Sequence, residues 1–282
     1  MNTIWITGAG GLIGSYLVRS APRFVVDATV VPLTRDRLEL TDFPAVRTAF
    51  RRQNPQLIIH CAALSRSADC EANPALARRL NLEVTARLAE LAADIPLVFL
   101  STDLVFDGRA GNYDEHAPVN PLSVYAETKV AAEEVLRSNP RHTIIRTSLN
   151  GGTSPTGDRG FNEQMRLAWQ AGRTLRLFTD EFRSPLAAEV TAHAVWELAV
   201  QGRAGLYHVA GTEKLSRWQI GRLLATRWPQ LQPRIEAASL QEYSGAPRAP
   251  DTSLNCAKAQ ELLSFRLPGL TEWLSTHPDT AF

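Results

Sequence analysis

A glycine-rich turn near the start of the chain restricts the possible folds more than any other stretch of the sequence. It lies between a short apolar run at 4–6 and a helical segment at 15–20, and it contains Gly8, Gly11 and Gly14. Glycines between a strand and a helix let the backbone turn tightly and approach a pyrophosphate, which then lies on the amides of the helix N-terminus. The spacing is Gly-x-x-Gly-x-x-Gly, and a tight turn without a ligand is the alternative. Its place between strand and helix predicts a dinucleotide site.

Apolar runs alternate with helical segments along the rest of the first half. The runs are 28–33, 57–63, 96–100 and 144–148, and the helical segments are 44–52, 74–93 and 130–136. This alternation predicts an α/β fold, a Rossmann-type doubly wound parallel sheet with ligands at the carboxyl ends of its strands. We expect residues 1–148 to form the dinucleotide-binding domain. We expect 149–282 to be mixed: about 186–210 complete the sheet, and the rest forms a smaller C-terminal substrate-binding lobe.

Tyr125 and Lys129 form the second pattern with chemical meaning. They are four residues apart at the start of an Ala- and Glu-rich segment, so a helix places both side chains on one face. An ammonium beside a phenol favours the phenolate, which lets the phenol donate and accept a proton near neutral pH. Thr102, at the end of an apolar run, adds a hydroxyl at the same edge of the sheet. Such a group of side chains is suited to reducing a ketone or oxidising an alcohol.

The end of the second predicted strand bears on the choice of cofactor. In this architecture an acid there accepts a hydrogen bond from the 2′-hydroxyl of the adenosine ribose, whereas a nearby arginine accommodates a 2′-phosphate. The strand ends with Thr34 and Arg35, and Asp36 follows one place later. An arginine that precedes the acid favours NADP(H). NAD(H) stays possible, because Arg35 could instead be a solvated surface residue. Asp42 stands where it can cap the next helix.

Composition excludes several classes of partner and location. The formal net charge of the 282 residues is +1, with acids and bases intermixed, which gives no indication of nucleic acid or a membrane surface. The N-terminus has no basic stretch before its apolar residues, so we expect no signal peptide. The three cysteines form no Cys-x-x-Cys, and reduced thiols in a cytoplasmic protein are expected. The six histidines are scattered, and no metal site is predicted.

These motifs together resemble the extended short-chain dehydrogenase/reductases. Within them the sequence is most similar to the dTDP-4-dehydrorhamnose reductase-like, sugar-nucleotide-binding family, over nearly its whole length. The matching stretches are Gly8-x-x-Gly11-x-x-Gly14, Cys61-Ala62-Ala63, Ser101-Thr102-Asp103-x-Val105-Phe106-Asp107-Gly108, Tyr125-x-x-x-Lys129 and Arg248-x-x-Asp251-Thr252-Ser253-Leu254-Asn255. The resemblance implies an NADPH-dependent reductase of a nucleotide-activated 4-keto-6-deoxy sugar, acting as a monomer or homodimer.

The resemblance also implies roles for individual residues. Tyr125 would protonate the sugar C4 oxygen, Lys129 would lower the pKa of the phenol and bind the nicotinamide ribose, and Thr102 would hydrogen-bond the substrate carbonyl. The residues expected to bind the cofactor are Gly8, Gly11, Leu12, Ile13, Gly14, Thr34, Arg35, Asp42, Phe43, Ala62, Ala63, Leu64, Tyr125 and Lys129. Those expected to bind substrate are Thr102, Asp103, Leu149 and Arg248.

The sequence departs from the family pattern mainly at positions that would face the substrate. Leu149 stands where the family often has an aromatic residue, and Ala249 replaces a proline after Arg248. Arg159, Arg183 and Arg248 are possible diphosphate contacts, with a solvated surface charge as the alternative for each. Two other functions therefore stay open: a cofactor-binding regulatory subunit of another enzyme, and a sugar-nucleotide epimerase with retained NAD.

Overall fold

The computed structural model describes residues 2–280 and residue 282 of the chain. Its strands are β1 (Asn2–Thr7), β2 (Ala28–Leu33), β3 (Pro55–His60), β4 (Leu97–Thr102), β5 (Thr143–Thr147), β6 (Asn150–Gly151), β7 (Leu175–Phe178), β8 (Phe182–Arg183), β9 (Leu186–Ala187), β10 (Gly205–Val209), β11 (Leu215–Ser216) and β12 (Ile235–Ala238).

Helices separate most of these strands. They are α1 (Leu12–Ser20), α2 (Phe43–Gln53), α3 (Ser67–Ala72), α4 (Pro74–Arg78), α5 (Val84–Leu91), α6 (Val124–Arg137), α7 (Phe161–Gln170), α8 (Ala188–Val200), α9 (Arg217–Arg227), α10 (Ala257–Gln260) and α11 (Leu270–Thr276). None of the helices in the described part of the chain has the length and apolar character that crossing a lipid bilayer requires.

A six-stranded parallel sheet organises the molecule. Its strands lie in the order β10, β5, β4, β3, β1, β2. The order reverses between β1 and β3, because the chain runs from β1 to β2 on one side and then returns to β3 on the other. Ligands of such sheets bind outside the carboxyl ends of the strands at this reversal. The sheet, with helices on both faces, confirms the predicted Rossmann-type α/β fold.

Both faces of the sheet are covered by apolar packing. Ile4 and Ile6 of β1 join a cluster that contains Leu17 of α1 and Trp196 of α8. Trp5, between them, points to the opposite face and packs with residues of α2, α5 and α6. Successive residues of a strand alternate between faces, so a strand buried on both sides requires a continuous apolar run. This is why the central strands are visible in the sequence as unbroken apolar segments.

A separate apolar cluster holds together much of the chain after residue 149. It is built from α7, α9, α11 and the two-stranded parallel ribbon of β7 and β12, and its buried members include Phe161, Met165, Trp169, Leu177, Ile220, Leu224, Trp273 and Phe282. Ser216 caps α9 with a capping box, because its hydroxyl accepts from the amide of Gln219 and the Gln219 side chain accepts from the amide of Ser216.

The segment expected to form one helix over 74–93 is divided. A π-helical turn at Arg79–Glu83 separates α4 from α5, and the buried Asn81 lies within it. Its amide oxygen accepts from the backbone N–H of Leu64 (2.8 Å), and its amide nitrogen donates to the hydroxyl of Thr128 on α6 (3.0 Å). Polar contacts of Asn81 with other segments accompany this turn. The spacing of apolar residues therefore does not reveal it.

Candidate active site

The glycine turn after β1 has the backbone shape that only glycine adopts readily. Gly8 has a φ of +66°, and a Cβ there would lie 2.6 Å from the backbone nitrogen of Ala62. A Cβ at Gly14 would overlap the carbonyl oxygen of Gly8. The turn therefore packs directly against the chain after β3 and against the first turn of α1. Larger side chains at either position would separate these backbones and widen the turn.

The N-terminus of α1 is open toward the same edge of the sheet. Gly11 is its N-cap residue, and within the described residues no side chain caps this end. The amides of the first turn at Leu12 and Ile13 therefore have the orientation and the positive end of the helix dipole that suit an anion. The structure thus places Gly8, Gly11, Leu12, Ile13 and Gly14 together at the switch point.

The wall opposite this turn is formed by the chain after β3. Ala62, Ala63 and Leu64 follow the strand, and the amide of Ala62 donates to the hydroxyl of Thr7 at 3.3 Å. Asn81 holds both the N–H and the carbonyl of Leu64 (2.8 and 3.1 Å). Small side chains and a fixed backbone leave a flat surface that suits a planar ring.

The residues after β2 are exposed. Arg35 is 77% exposed and lies 3.3 Å from a carboxylate oxygen of Glu39, so it is paired at the surface. Thr34 hydrogen-bonds the Asp36 carboxylate and thereby lowers its pKa. The Asp42 carboxylate caps α2 by accepting from the amide of Ala45 at 3.0 Å. The next residue, Phe43, lies under the guanidinium of Arg87.

Thr102 and Tyr125 meet at the carboxyl end of β4. The Thr102 hydroxyl accepts from the amide of Leu104 (3.2 Å) and lies close enough to the phenol of Tyr125 to affect its pKa. Ser123 caps α6, and its hydroxyl accepts from the amide of Ala126, which sets Tyr125 in the first turn of the helix. Burial raises the pKa of the Tyr125 phenol, the Asp103 carboxylate adds to the rise, and the Thr102 hydroxyl opposes it.

Lys129 lies one helical turn after Tyr125 but directs its ammonium elsewhere. Its Nζ donates to the carbonyl of Leu100 at 2.6 Å and sits 3.8 Å from the centre of the Phe99 ring. Burial lowers the pKa of Lys129 to about 7, against the attraction of Glu133. A phenol pKa lowered by Lys129 therefore stays a prediction, and in the protein alone burial and Asp103 raise the pKa of Tyr125.

Asp103 is buried, and both of its carboxylate oxygens are occupied. One accepts from the Thr102 hydroxyl (3.2 Å), and the other accepts from the hydroxyls of Ser148 (2.6 Å) and Thr252 (2.8 Å). Arg183 lies 3.8 Å from the second oxygen. The sugar contact expected of Asp103 stays a prediction; within the protein Asp103 joins the catalytic edge of the sheet to the later part of the chain.

Leu149 and Arg248, for which substrate binding stays a prediction, both have partners within the protein. Leu149 packs against the apolar cluster of the second half, with its carbonyl accepting from the amide of Leu186. Arg248 forms a bidentate ion pair with Glu181 (2.7 and 2.9 Å). Burial alone would lower the pKa of Arg248, but Glu181 raises it above its ordinary value. Neither side chain is free, because apolar packing holds the first and a carboxylate holds the second.

The other arginines considered from the sequence are paired as well. Arg183 is buried and lies 2.9 Å from Glu181, whereas Arg159 lies 3.3 Å from Asp158. Asp158 in turn accepts from Arg66 at 2.7 Å, which links the loop after β3 to the loop before α7. Sequence reasoning missed Glu181 and also Arg217, which lies beside it. No motif marks either residue, since β8 and α9 bring them together only in the fold.

The RmlD substrate binding domain model matches residues 1–279. The chain belongs to this family. Similar curated proteins include a dTDP-4-dehydrorhamnose reductase of Streptomyces griseus, 32% identical over 263 residues that cover 90% of this chain and 81% of the relative. Another is a methionine adenosyltransferase 2 subunit beta of Xenopus laevis, 26% identical over 91% of this chain and 81% of the relative.

Solved structures agree with the RmlD family fold. A dTDP-4-dehydrorhamnose reductase of Bacillus anthracis in complex with NADP superposes with a TM-score of 0.89. It covers 98% of each chain at 23% identity. At this identity the likeness concerns the fold, and the roles of the side chains must be argued from their own geometry.

Proposed function

We propose that the protein is an NADPH-dependent reductase of a nucleotide-activated 4-keto-6-deoxy sugar. The observation that carries the proposal is the meeting of the Thr102 hydroxyl and the Tyr125 phenol at the carboxyl end of β4. The relatives named as dTDP-4-dehydrorhamnose reductases support this substrate class. We place the substrate against Thr102 and Tyr125, with the lobe after residue 149 covering it.

The residues of the first half suit a dinucleotide. The glycine turn allows close approach of a pyrophosphate, the open N-terminus of α1 supplies amides, and Ala62 to Leu64 offer a flat wall. Thr34 and Arg35 would meet the adenosine ribose, and the exposed arginine favours NADP(H) over NAD(H). The nicotinamide, when bound, supplies the hydride that reduces the ketone carbon. Lys129 would hold the ribose, and Asp42 with Phe43 would border the adenine.

Tyr125 is the proton donor in this proposal. Its raised pKa keeps the phenol protonated at neutral pH, so it can donate to the ketone oxygen as the carbon is reduced. Thr102 would donate a hydrogen bond to the same oxygen, which withdraws charge from the carbonyl. The products are the alcohol and a phenolate, which takes its proton back from solvent. The phenolate forms one helical turn before Lys129, whose ammonium donates to the carbonyl of Leu100.

Steady-state oxidation of NADPH in the presence of a dTDP-4-keto-6-deoxy sugar tests this function. We expect the Tyr125→Phe variant to lose kcat by a factor of about 10² to 10⁴, because a positioned general acid contributes that much. Tyr207→Phe is the matched control, since this phenol bonds the carbonyl of Ala204 within the protein, away from the proposed site. Wild-type protein that oxidises no NADPH with any such sugar, or a Tyr125→Phe variant as fast as the control, contradicts the proposal.

A second candidate is a cofactor-binding regulatory subunit. It is favoured by the similarity to the methionine adenosyltransferase 2 subunit beta and by Leu149, which packs into the protein. Under this alternative a stoichiometric enzyme partner co-purifies with the protein, and the Tyr125→Phe variant supports the partner's activity as well as wild type does. The two measurements therefore separate the candidates.

A further inference from the structure

Thr252 lies in a short segment, residues 250–255, that is hydrogen-bonded to two distant parts of the chain. The amide of Thr252 donates to the carbonyl of Phe182 in β8 at 3.3 Å. The amide of Tyr113, in the loop between β4 and α6, donates to the carbonyl of Ser253 at 2.9 Å. These backbone bonds fix the place of Thr252, which is fully buried.

The side chain of Thr252 directs its hydroxyl to Asp103. The hydroxyl donates to the carboxylate oxygen Oδ2 at 2.8 Å, and the Ser148 hydroxyl donates to the same oxygen at 2.6 Å. The Arg183 guanidinium lies 3.8 Å from this oxygen. Two short hydrogen bonds and a nearby cation therefore engage one side of the carboxylate.

The other oxygen of Asp103 has a much longer hydrogen bond with Thr102. The Thr102 hydroxyl donates to Oδ1 at 3.2 Å, whereas a hydroxyl donor ordinarily lies about 2.5–2.7 Å from a carboxylate oxygen. A hydroxyl has a single proton to donate. A proton that Asp103 held tightly could not also be donated to a ketone oxygen, so the length of this bond bears directly on what Thr102 can do.

We propose that Thr252 is a positioning residue for the reduction. By engaging one side of the Asp103 carboxylate, its hydroxyl leaves only a weak hold on the Thr102 proton, which Thr102 can then donate to the ketone oxygen. The carboxylate carries one negative charge that all its donors share, so each donor weakens the attraction for the next. The inference rests on the proposed function, because it gives the last part of the chain a role in directing the hydroxyl that meets the ketone.

Kinetics of Thr252→Val test the assignment, because valine keeps the branched shape of the side chain and removes the hydroxyl. We expect kcat to fall by about 10-fold, the size of one hydrogen bond to a charged group, while KM for the keto sugar and the affinity for NADPH stay close to wild type. Thr252→Ser keeps the hydroxyl and should restore most of the lost kcat. A valine variant with the kcat of wild type, or one whose loss lies in KM, overturns the assignment.

Ser253→Ala is the matched control, since Ser253 is the next residue of the segment and is also buried. Its hydroxyl accepts from the amide of Asn112 at 2.8 Å, so the variant disturbs the segment while the bond from Thr252 to Asp103 remains. We expect it to keep the kcat of wild type even where urea denaturation shows a loss of stability. Equal losses of kcat in Ser253→Ala and Thr252→Val would show that the effect comes from weakening the segment, and would overturn the role of Thr252.

Crystal structures of the variants give a readout that needs no turnover. In Thr252→Val the distance from the Thr102 hydroxyl to Oδ1 of Asp103 should shorten from 3.2 Å toward about 2.7 Å, and in Ser253→Ala it should stay unchanged. If no keto sugar is reduced but the distance shortens in the valine variant alone, the coupling of Thr252 to Thr102 stands and the proposed reductase function fails. If sugars are reduced while Thr252→Val changes neither the distance nor kcat, the function stands and the inference fails.

Discussion

Two buried glutamate–arginine clusters lie on either side of the proposed site, and they differ in how completely their charges are paired. On the cofactor side, Glu133 of α6 forms a bidentate pair with Arg146 of β5 at 3.0 and 2.7 Å, and both side chains are at most 2% exposed. Ser101 donates to the same carboxylate at 2.5 Å, and the remaining Arg146 nitrogen lies 3.4 Å from His208. On the substrate side, Glu181 is shared by two arginines, and Arg217 has no partner of its own among the described residues.

The two clusters differ in how fully their arginines are bonded within the described residues. In the Glu133 cluster Arg146 donates twice to the carboxylate at 3.0 and 2.7 Å, and the exposed Arg137 lies 3.5 Å from the same carboxylate. This cluster fixes α6, and with it Tyr125 and Lys129, to the central strands. In the Glu181 cluster Arg183 and Arg248 share one carboxylate, and the Arg217 guanidinium forms no hydrogen bond to the described residues.

Breaking the Glu133 cluster should have the largest effect on the free energy of unfolding. Glu133→Gln leaves Arg146 buried without a compensating charge, and removal of one partner of a buried pair costs about 3–5 kcal/mol. Urea denaturation of the variant measures the loss. Glu134→Gln is the control, since Glu134 is the next residue on α6 and is exposed. A loss for Glu133→Gln no larger than for this control would show that the cluster does not hold the helix.

Acid should also reduce the stability that the Glu133 cluster and its neighbour His208 provide. His208 is buried with its Nδ1 3.0 Å from the carbonyl of Tyr113, and burial, with Arg146 beside it, lowers its pKa to about 4. The folded-state pKa lies below the unfolded value, so the unfolded chain binds the proton first and stability is lost as pH falls below about 6.5. At pH 5 the lowered pKa of His208 reduces the free energy of unfolding by about 2 kcal/mol.

Denaturant unfolding at pH 7 and pH 5 measures this loss. His208→Gln should show a smaller difference between the two pH values than wild type, by the same 2 kcal/mol or so. His277→Gln, at an exposed histidine, should behave as wild type does. An equal difference in all three proteins would show that His208 is already protonated in the folded state at pH 5.

The smallest loss of stability is expected in the Glu181 cluster. Arg248 is 36% exposed, and Arg183 remains on Glu181 when Arg248 is removed. The stability lost in Arg248→Gln should therefore be about 1 kcal/mol or less, since partly exposed pairs are screened by solvent. The same urea series measures it against Glu133→Gln. A loss as large as that of Glu133→Gln would contradict the distinction between the two clusters.

Local patterns explain why much of the first half could be predicted. The glycine turn depends on backbone shape at Gly8 and Gly14, and the strands are continuous apolar runs because both faces of the sheet are covered. The caps of α2 and α6, at Asp42 and Ser123, depend on residues a few positions apart. The π-helical turn around Asn81 was not visible, because its cause is contact with Leu64 and Thr128 from other segments.

The sequence by itself determined the α/β class, the glycine turn at the switch point and the spacing that sets Tyr125 and Lys129 on one helix. These features depend on short-range geometry and on apolar periodicity. Only the tertiary structure decided that Lys129 turns to Leu100, that Asp103 is occupied by Ser148 and Thr252, and that Arg217 has no partner within the described chain. Charge pairing and desolvation depend on which distant segments meet, and no local pattern in the chain encodes that meeting.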